Sequence, residues 1–135
     1  MLLHRYLKHQ LIWIVAAVAF NLVSLWRMSQ GGEPLSPTKP MVGLILFVGF
    51  TFVVGLGWKG YLKSYLLATS LFTLMIAYGG VLLHFINLLG GNGLENYASI
   101  WVWCIGVSIN TYGVLMSILA LREVINTLRS TVIAE

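Results

Sequence analysis

The chain has 135 residues, 59% of them hydrophobic and 9% charged, with a formal net charge of +4. Soluble domains carry roughly a quarter charged residues, so most of this surface must face something other than water. That excludes a soluble enzyme and a nucleic-acid-binding domain, and it predicts an all-α integral membrane protein.

Spans of about 20 residues consume nearly the whole chain in four crossings. The expected architecture is a single domain, 1–135, of four transmembrane helices in an antiparallel bundle, followed by a short C-terminal interfacial helix. The first ten residues, with His4, Arg5 and Lys8, lead into LIWIVAAVAF and imitate a signal peptide, down to a cleavable Ala17-Val18-Ala19. The apolar run continues to Trp26, beyond signal length, which predicts a retained first span over 11–26. Gln10, Ala17, Asn21 and Ser24 share one face of it, so Asn21 should point inward. Trp13 and Trp26 are expected to anchor its two ends in the headgroup layers. The connection over 27–40, with Gly31, Gly32 and three prolines, predicts an extended, exposed loop.

The second span, 41–58, is the most purely apolar, and Gly43, Gly49 and Gly55 mark places where neighbours approach. Their spacing of six does not keep one helical face, so it is not a helix-dimer motif. A short basic turn follows, with Trp58, Tyr61 and Tyr65 suited to the interface, and its brevity makes spans two and three antiparallel neighbours.

The third span, 65–89, carries the only histidine placed inside the apolar region. Thr69, Thr73, Ala77, Gly80, His84 and Asn87 step by three or four and so form one small, polar stripe. Leu71, Leu74, Val81, Leu82 and Phe85 lie opposite and are expected to face lipid. Residues 90–96, GGNGLEN, read as a tight reversal; no strand precedes these glycines and no phosphate-binding lysine follows. The fourth span, 97–121, holds the most regular pattern: Ser99, Trp103, Gly106, Asn110, Gly113, Ser117 and Ala120 form a packing seam. The tail, 122–135, is expected to lie in the interface, with Val124, Ile125, Leu128 and Val132 on one side and Arg122 and Arg129 reaching headgroups.

Arg5, Lys8, Lys59, Lys63, Arg122 and Arg129 fall on one side of the membrane and only Arg27 and Lys39 on the other, which puts both termini in the cytoplasm. The compact spacing of the spans points to a bacterial inner membrane.

The helix rise of about 1.5 Å per residue sets depth. It puts Asn21 and Asn110 near the midplane, and His84, Trp103, Ser99 and Asn87 in a layer about 10 Å toward the outer face. That outer layer is the candidate ligand site, with His84 as hydrogen-bond donor, axial ligand or proton carrier, because intramembrane ionisable groups are rare and usually functional. A histidine satisfied within the bundle is the structural alternative at even weight. Thr69, Thr73, Gly80, Gly106, Gly113, Ser117, Asn21 and Asn110 are expected to serve helix packing.

All four carboxylates lie in connections or at ends, and Cys104 is the lone cysteine. No acid pair, nucleophile set or metal cluster assembles, so the chain is not expected to be an enzyme or to hold a metal. Three functions stay open. The first is an accessory or scaffolding subunit, associating with other membrane subunits or with itself. The second is a small oligomeric channel or transporter using Asn21, Asn110 and His84. The third is a membrane anchor binding a quinone or haem at His84; no cofactor is otherwise expected.

Overall fold

The structure is a computed structural model that describes residues 2–91 and 93–133, and every regular element among them is helical. In order these are α1 (Leu2–Ser29), α2 (Pro40–Trp58), α3 (Leu62–Ile76), a π-helical segment (Ala77–Leu82), α4 (Leu83–Leu89) and α5 (Ile100–Ile133). α3, the π segment and α4 form one rod, so four helices are long and apolar enough to cross a membrane: Leu2–Ser29, Pro40–Trp58, Leu62–Leu89 and Ile100–Thr131.

Pro40 opens α2, where its fixed φ suits a first helical residue, and Gly60, at φ +81, ends the turn beyond Trp58. α1 begins nine residues before the expected span. Its 28 residues reach about 42 Å, longer than a hydrocarbon core of about 30 Å, and the exposed Arg5 and Lys8 ride on its first turns.

α5 starts at Ile100 rather than at Tyr97, because the Ser99 Oγ accepts the Val102 N–H and so caps the helix. The tail does not form a helix of its own. Residues 122–133 continue α5 without a break, and Val124 is fully buried there. Met1, Asn92, Ala134 and Glu135 lie outside the described residues, as do the side chains of Val132 and Ile133.

α1 packs on α2 and α5, and α3 packs on the same two, so the spans form a four-membered ring. The ends of this ring differ. Near the chain's first turns it is tight: Leu7, Trp13, Phe50, Val54, Tyr65, Ala120 and Val124 form a continuous buried core. Trp13 was expected at an interface, yet it is 1% exposed and meets Phe47 and Phe50 edge-on at 5.3 and 5.2 Å. Gly113 makes room for it, since a Cβ there would stand 2.0 Å from the indole. Tyr65, also expected at the interface, is wholly buried and donates to Gln10 Oε1 at 2.8 Å. Gln10 in turn donates to Ser117 Oγ at 3.0 Å, which ties α3, α1 and α5 together through three buried side chains. Of the three α2 glycines singled out by spacing, only Gly43 meets a neighbour closely, the Asn21 amide.

At the other end the two longer connections meet. Leu35 is buried rather than exposed; its N–H donates to Ser24 Oγ at 2.9 Å and its carbonyl accepts from the Ala98 N–H at 3.2 Å. The 30–39 loop is thereby folded back over the bundle.

Candidate functional site

Beneath that folded loop lies a cavity of about 220 Å³ between α1, α2, the π segment and α5. Its lining mixes apolar walls (Phe20, Phe47, Ile76, Val107) and bare backbone (Gly43, Gly79, Gly80, Gly106) with a few polar groups: Asn21, His84, Tyr97, Trp103 and Asn110. Ser36 and Thr38 reach it from the loop above. That is the usual composition of a ligand site, apolar with a few placed polar atoms.

The π segment gives the site its shape. A π turn takes one more residue than an α turn, so it rotates everything beyond it relative to a regular helix. His84 stays inward, 9% exposed, whereas Asn87 turns out and Leu88 takes the half-buried position instead. Asn87 is therefore not part of the site. Ser99, its other expected member, is exposed and occupied in capping α5.

His84 and Trp103 do come together: the indole N–H donates to the His84 carbonyl at 3.3 Å. The unexpected partner is Tyr97, whose hydroxyl is hydrogen-bonded to His84 Nδ1 and whose ring packs edge-on to the imidazole at 5.6 Å. Tyr97 lies in the connection before α5, where burial pushes its phenol up to about 12, so it keeps its proton. When that proton is given to Nδ1 the neutral ring carries its own hydrogen on Nε2, and in the other tautomer Nδ1 donates to the phenol oxygen and Nε2 is an acceptor. Nε2 has no partner among the described residues and is not among the sealed buried atoms. It is free to serve the cavity.

The two amides are set with equal definition. Asn21 Nδ2 donates to the Ala17 carbonyl at 2.8 Å and Asn110 Nδ2 to the Gly80 carbonyl at 3.0 Å. Of the remaining packing residues, Thr69, Thr73, Gly113 and Ser117 fall outside the cavity. Thr73 Oγ1 donates to its own helix at the Thr69 carbonyl, Thr69 is fully buried with an unpartnered hydroxyl, and Ser117 and Gly113 belong to the tight end. Gly106 lines the cavity and would meet only the Phe20 ring, at 3.5 Å.

Two further properties limit what the site can do. Its floor is closed: Phe47 and Ile76 line it, and Trp13 and Phe50 pack behind Phe47 in the core. Its side is more open, because α2 packs along α3 with no comparable packing on the π segment or α4 beyond it. Met75 and Gly79 line the cavity at that gap; Met75 is exposed, and nothing stands within 4 Å of a Cβ placed on Gly79. Among the described residues no three His, Cys, Asp or Glu side chains gather to hold a metal ion.

The chain matches no family model, no curated protein and no solved structure.

Proposed function

We propose that this protein is a membrane-embedded binding protein for the ring-sized, uncharged head of a lipid-soluble molecule of the quinone type. The observation that carries this reading is the cavity itself: about 220 Å³, with the His84 ring on its wall and a side gap toward lipid. A cavity of about 150 Å³ holds a benzene ring, and pockets for drug-sized ligands begin near 300 Å³. A single substituted ring therefore suits the space, and a haem macrocycle exceeds it. A tail would leave between α2 and the π segment.

The closed aromatic floor speaks against a permeation path through Asn21 and Asn110. The association reading rests on the absence of a soluble domain and of a catalytic set and on the small-residue seam of the fourth span, and only the seam bears on the choice here. Gly113 is taken up by Trp13, Ser117 by Gln10 and Asn110 by Gly80, all inside the chain.

We take consecutive spans as antiparallel, since the 30–39 and 90–99 connections meet at one end while the His4 ring packs edge-on to Trp58 at the other. The exposed Arg5, Lys8, Lys59, Lys63, Arg122 and Arg129 favour a cytoplasmic face at that second end. A bacterial inner membrane accommodates this arrangement, with the last turns of α5 reaching headgroups through Arg122 and Arg129.

The test is equilibrium binding of a short-chain prenyl benzoquinone to the protein in lipid nanodiscs, corrected with empty nanodiscs. Wild type should bind saturably. Gly79→Leu, which fills the lipid-side rim of the cavity, should fold normally and bind nothing. Absence of saturable binding by wild type overturns the proposal.

A further inference from the structure

The two ends of the bundle differ in charge as well as in packing. Where the 30–39 and 90–99 connections meet, Arg27 and Lys39 are balanced by Glu33 and Glu95. At the opposite end stand Arg5, Lys8, Lys59, Lys63, Arg122 and Arg129, and the only carboxylate there among the described residues is the half-buried Glu123. Most of these cations are held at one level. The buried chain of Tyr65, Gln10 and Ser117 sets the register of α3, α1 and α5, and at a rise of about 1.5 Å per residue Arg5, Lys8, Lys63 and Arg122 all fall within about 8 Å of it along the axis. Lys59 joins the same layer. It follows Trp58, whose ring packs edge-on to His4 with the centroids 6.3 Å apart, and a Cβ on the neighbouring Gly57 would stand 2.9 Å from Leu7. Arg5 and Lys8 on α1 and Lys59 beyond α2 therefore flank one contact between the two helices.

At that contact the outward face of α1 changes character within one turn. Arg5, Lys8, Ile12 and Val15 follow at steps of three and four, so they share one stripe, and all are exposed. The first two are cations and the next two are apolar. Trp58 and Tyr61, 39% and 60% exposed, add aromatic rings with polar tips beside Lys59. We infer that Arg5, Lys8 and Lys59, gathered round the His4 and Trp58 contact, form a site for the phosphate head of an anionic phospholipid, with its acyl chains lying along Ile12 and Val15. A phosphodiester keeps one negative charge at neutral pH, and lysine and arginine meet it with charge and with hydrogen-bond donors. Phosphatidylcholine carries the same phosphate but brings its own cation, so it gains less from the site. Lipid suits this layer better than an acidic protein does. The cations ring the bundle where the apolar spans end, which is the level of headgroups, and a soluble partner would reach only one side of that ring. The site is separate from the His84 cavity and does not depend on what that cavity binds.

The experiment titrates the full chain, in a neutral detergent, with phosphatidylglycerol or with phosphatidylcholine of the same acyl chains, and reads the lipids retained by native mass spectrometry. Phosphatidylglycerol should bind about tenfold more tightly or better, the scale set by a few cations acting on one anionic head. A variant carrying Arg5→Gln, Lys8→Gln and Lys59→Gln should lose that preference and keep the wild-type melting curve, because all three side chains are exposed. A second variant removes as many charges from the same end but away from the site, by Lys63→Gln, Arg122→Gln and Arg129→Gln. It should keep the preference. An unchanged preference in the first variant, or an equal loss in both, would show a diffuse field in place of a site and overturns the inference. Displacement of phosphatidylglycerol from wild type by inorganic phosphate, beyond what chloride of the same ionic strength achieves, would make this a free-anion site and overturns the lipid assignment. Equal affinity of wild type for the two lipids overturns it as well, and leaves the cations to an acidic protein partner.

Discussion

Asn110, on α5, donates through Nδ2 to the carbonyl of Gly80 at 3.0 Å, within the π segment of the third span. A π turn departs from the i to i−4 ladder, and in a bilayer an unpaired backbone group has no water to turn to. The side chain of one helix thus bonds a carbonyl within the widened turn of another. Gly80 permits the approach, since a Cβ there would stand 2.7 Å from Asn110 Nδ2.

Replacing Asn110 by leucine should therefore destabilise the protein by about 0.6–1.7 kcal/mol, the range for interhelical hydrogen bonds within membrane proteins. Thermal unfolding in detergent, followed by helical circular dichroism, measures it. A wild-type melting curve would mean that the Gly80 carbonyl finds another partner and that the π segment does not depend on α5.

The two glycines of the α5 seam should behave differently although their spacing makes them equivalent. Gly113→Ala drives a methyl to 2.0 Å from the Trp13 ring, which is locked between Phe47 and Phe50; overpacking of this kind costs typically 1–3 kcal/mol. Gly106→Ala meets only the Phe20 ring at 3.5 Å, and the gain in helix propensity of up to about 1 kcal/mol makes it neutral or stabilising. Parallel thermal unfolding of the two variants decides this, and equal destabilisation would place both glycines at equally tight contacts.

That contrast shows how far the sequence could be read. The four apolar runs fix the four helices, because nothing else in a chain of this composition can satisfy its backbone in lipid. Inward faces follow from periodicity wherever the helix is regular: Gln10, Ala17 and Ser24 on α1, and Trp103, Gly113 and Ser117 on α5, are all buried. Periodicity fails beyond the π segment, where the added residue per turn moves Asn87 outward. It is also blind to what a face meets. Trp13 and Tyr65 have the amphipathic character of interface residues, and only the glycine opposite the first and the glutamine beside the second draw them into the core. The Tyr97 to His84 bond joins a connection to a span, which no helical repeat encodes.

The buried chain Tyr65, Gln10, Ser117 should act as a unit. Tyr65→Phe removes the hydroxyl that donates to Gln10 Oε1, and Ser117→Ala removes the acceptor of Gln10 Nε2. Such bonds within membrane proteins average about 0.6 kcal/mol and reach about 1.7 kcal/mol. A double-mutant cycle should give a coupling of about 0.5 kcal/mol or more, because either change frees Gln10 to rotate away from the other partner. Strict additivity would show that Gln10 holds its two bonds independently.

The orientation can be tested with single cysteines on a Cys104→Ser background. A cysteine at Lys39 should react with an impermeant maleimide added outside intact cells, and one at Lys59 or Lys63 only after the membrane is opened. Labelling in the reverse order would invert the protein and put the His84 cavity in the cytoplasmic leaflet.

The last test separates a histidine that serves a ligand from one that only packs. His84 is held from two sides, by the Tyr97 hydroxyl on Nδ1 and by the Trp103 indole on its carbonyl, and the cavity reaches its ring. His84→Leu keeps the volume and the carbonyl but removes both ring nitrogens, so it strands the Tyr97 hydroxyl and takes the imidazole out of the cavity's polar lining. Tyr97→Phe removes only the group that fixes the tautomer and leaves Nε2 in place. If His84 presents Nε2–H to a ligand, binding of the prenyl benzoquinone should fall about tenfold or more in His84→Leu, as expected for loss of a hydrogen bond in a water-poor site. Tyr97→Phe should cost less, because the donor survives with its orientation loosened. A structural histidine gives the opposite order: both variants lower the melting temperature by similar amounts through the shared hydrogen bond, and ligand affinity is unchanged in the fraction that remains folded.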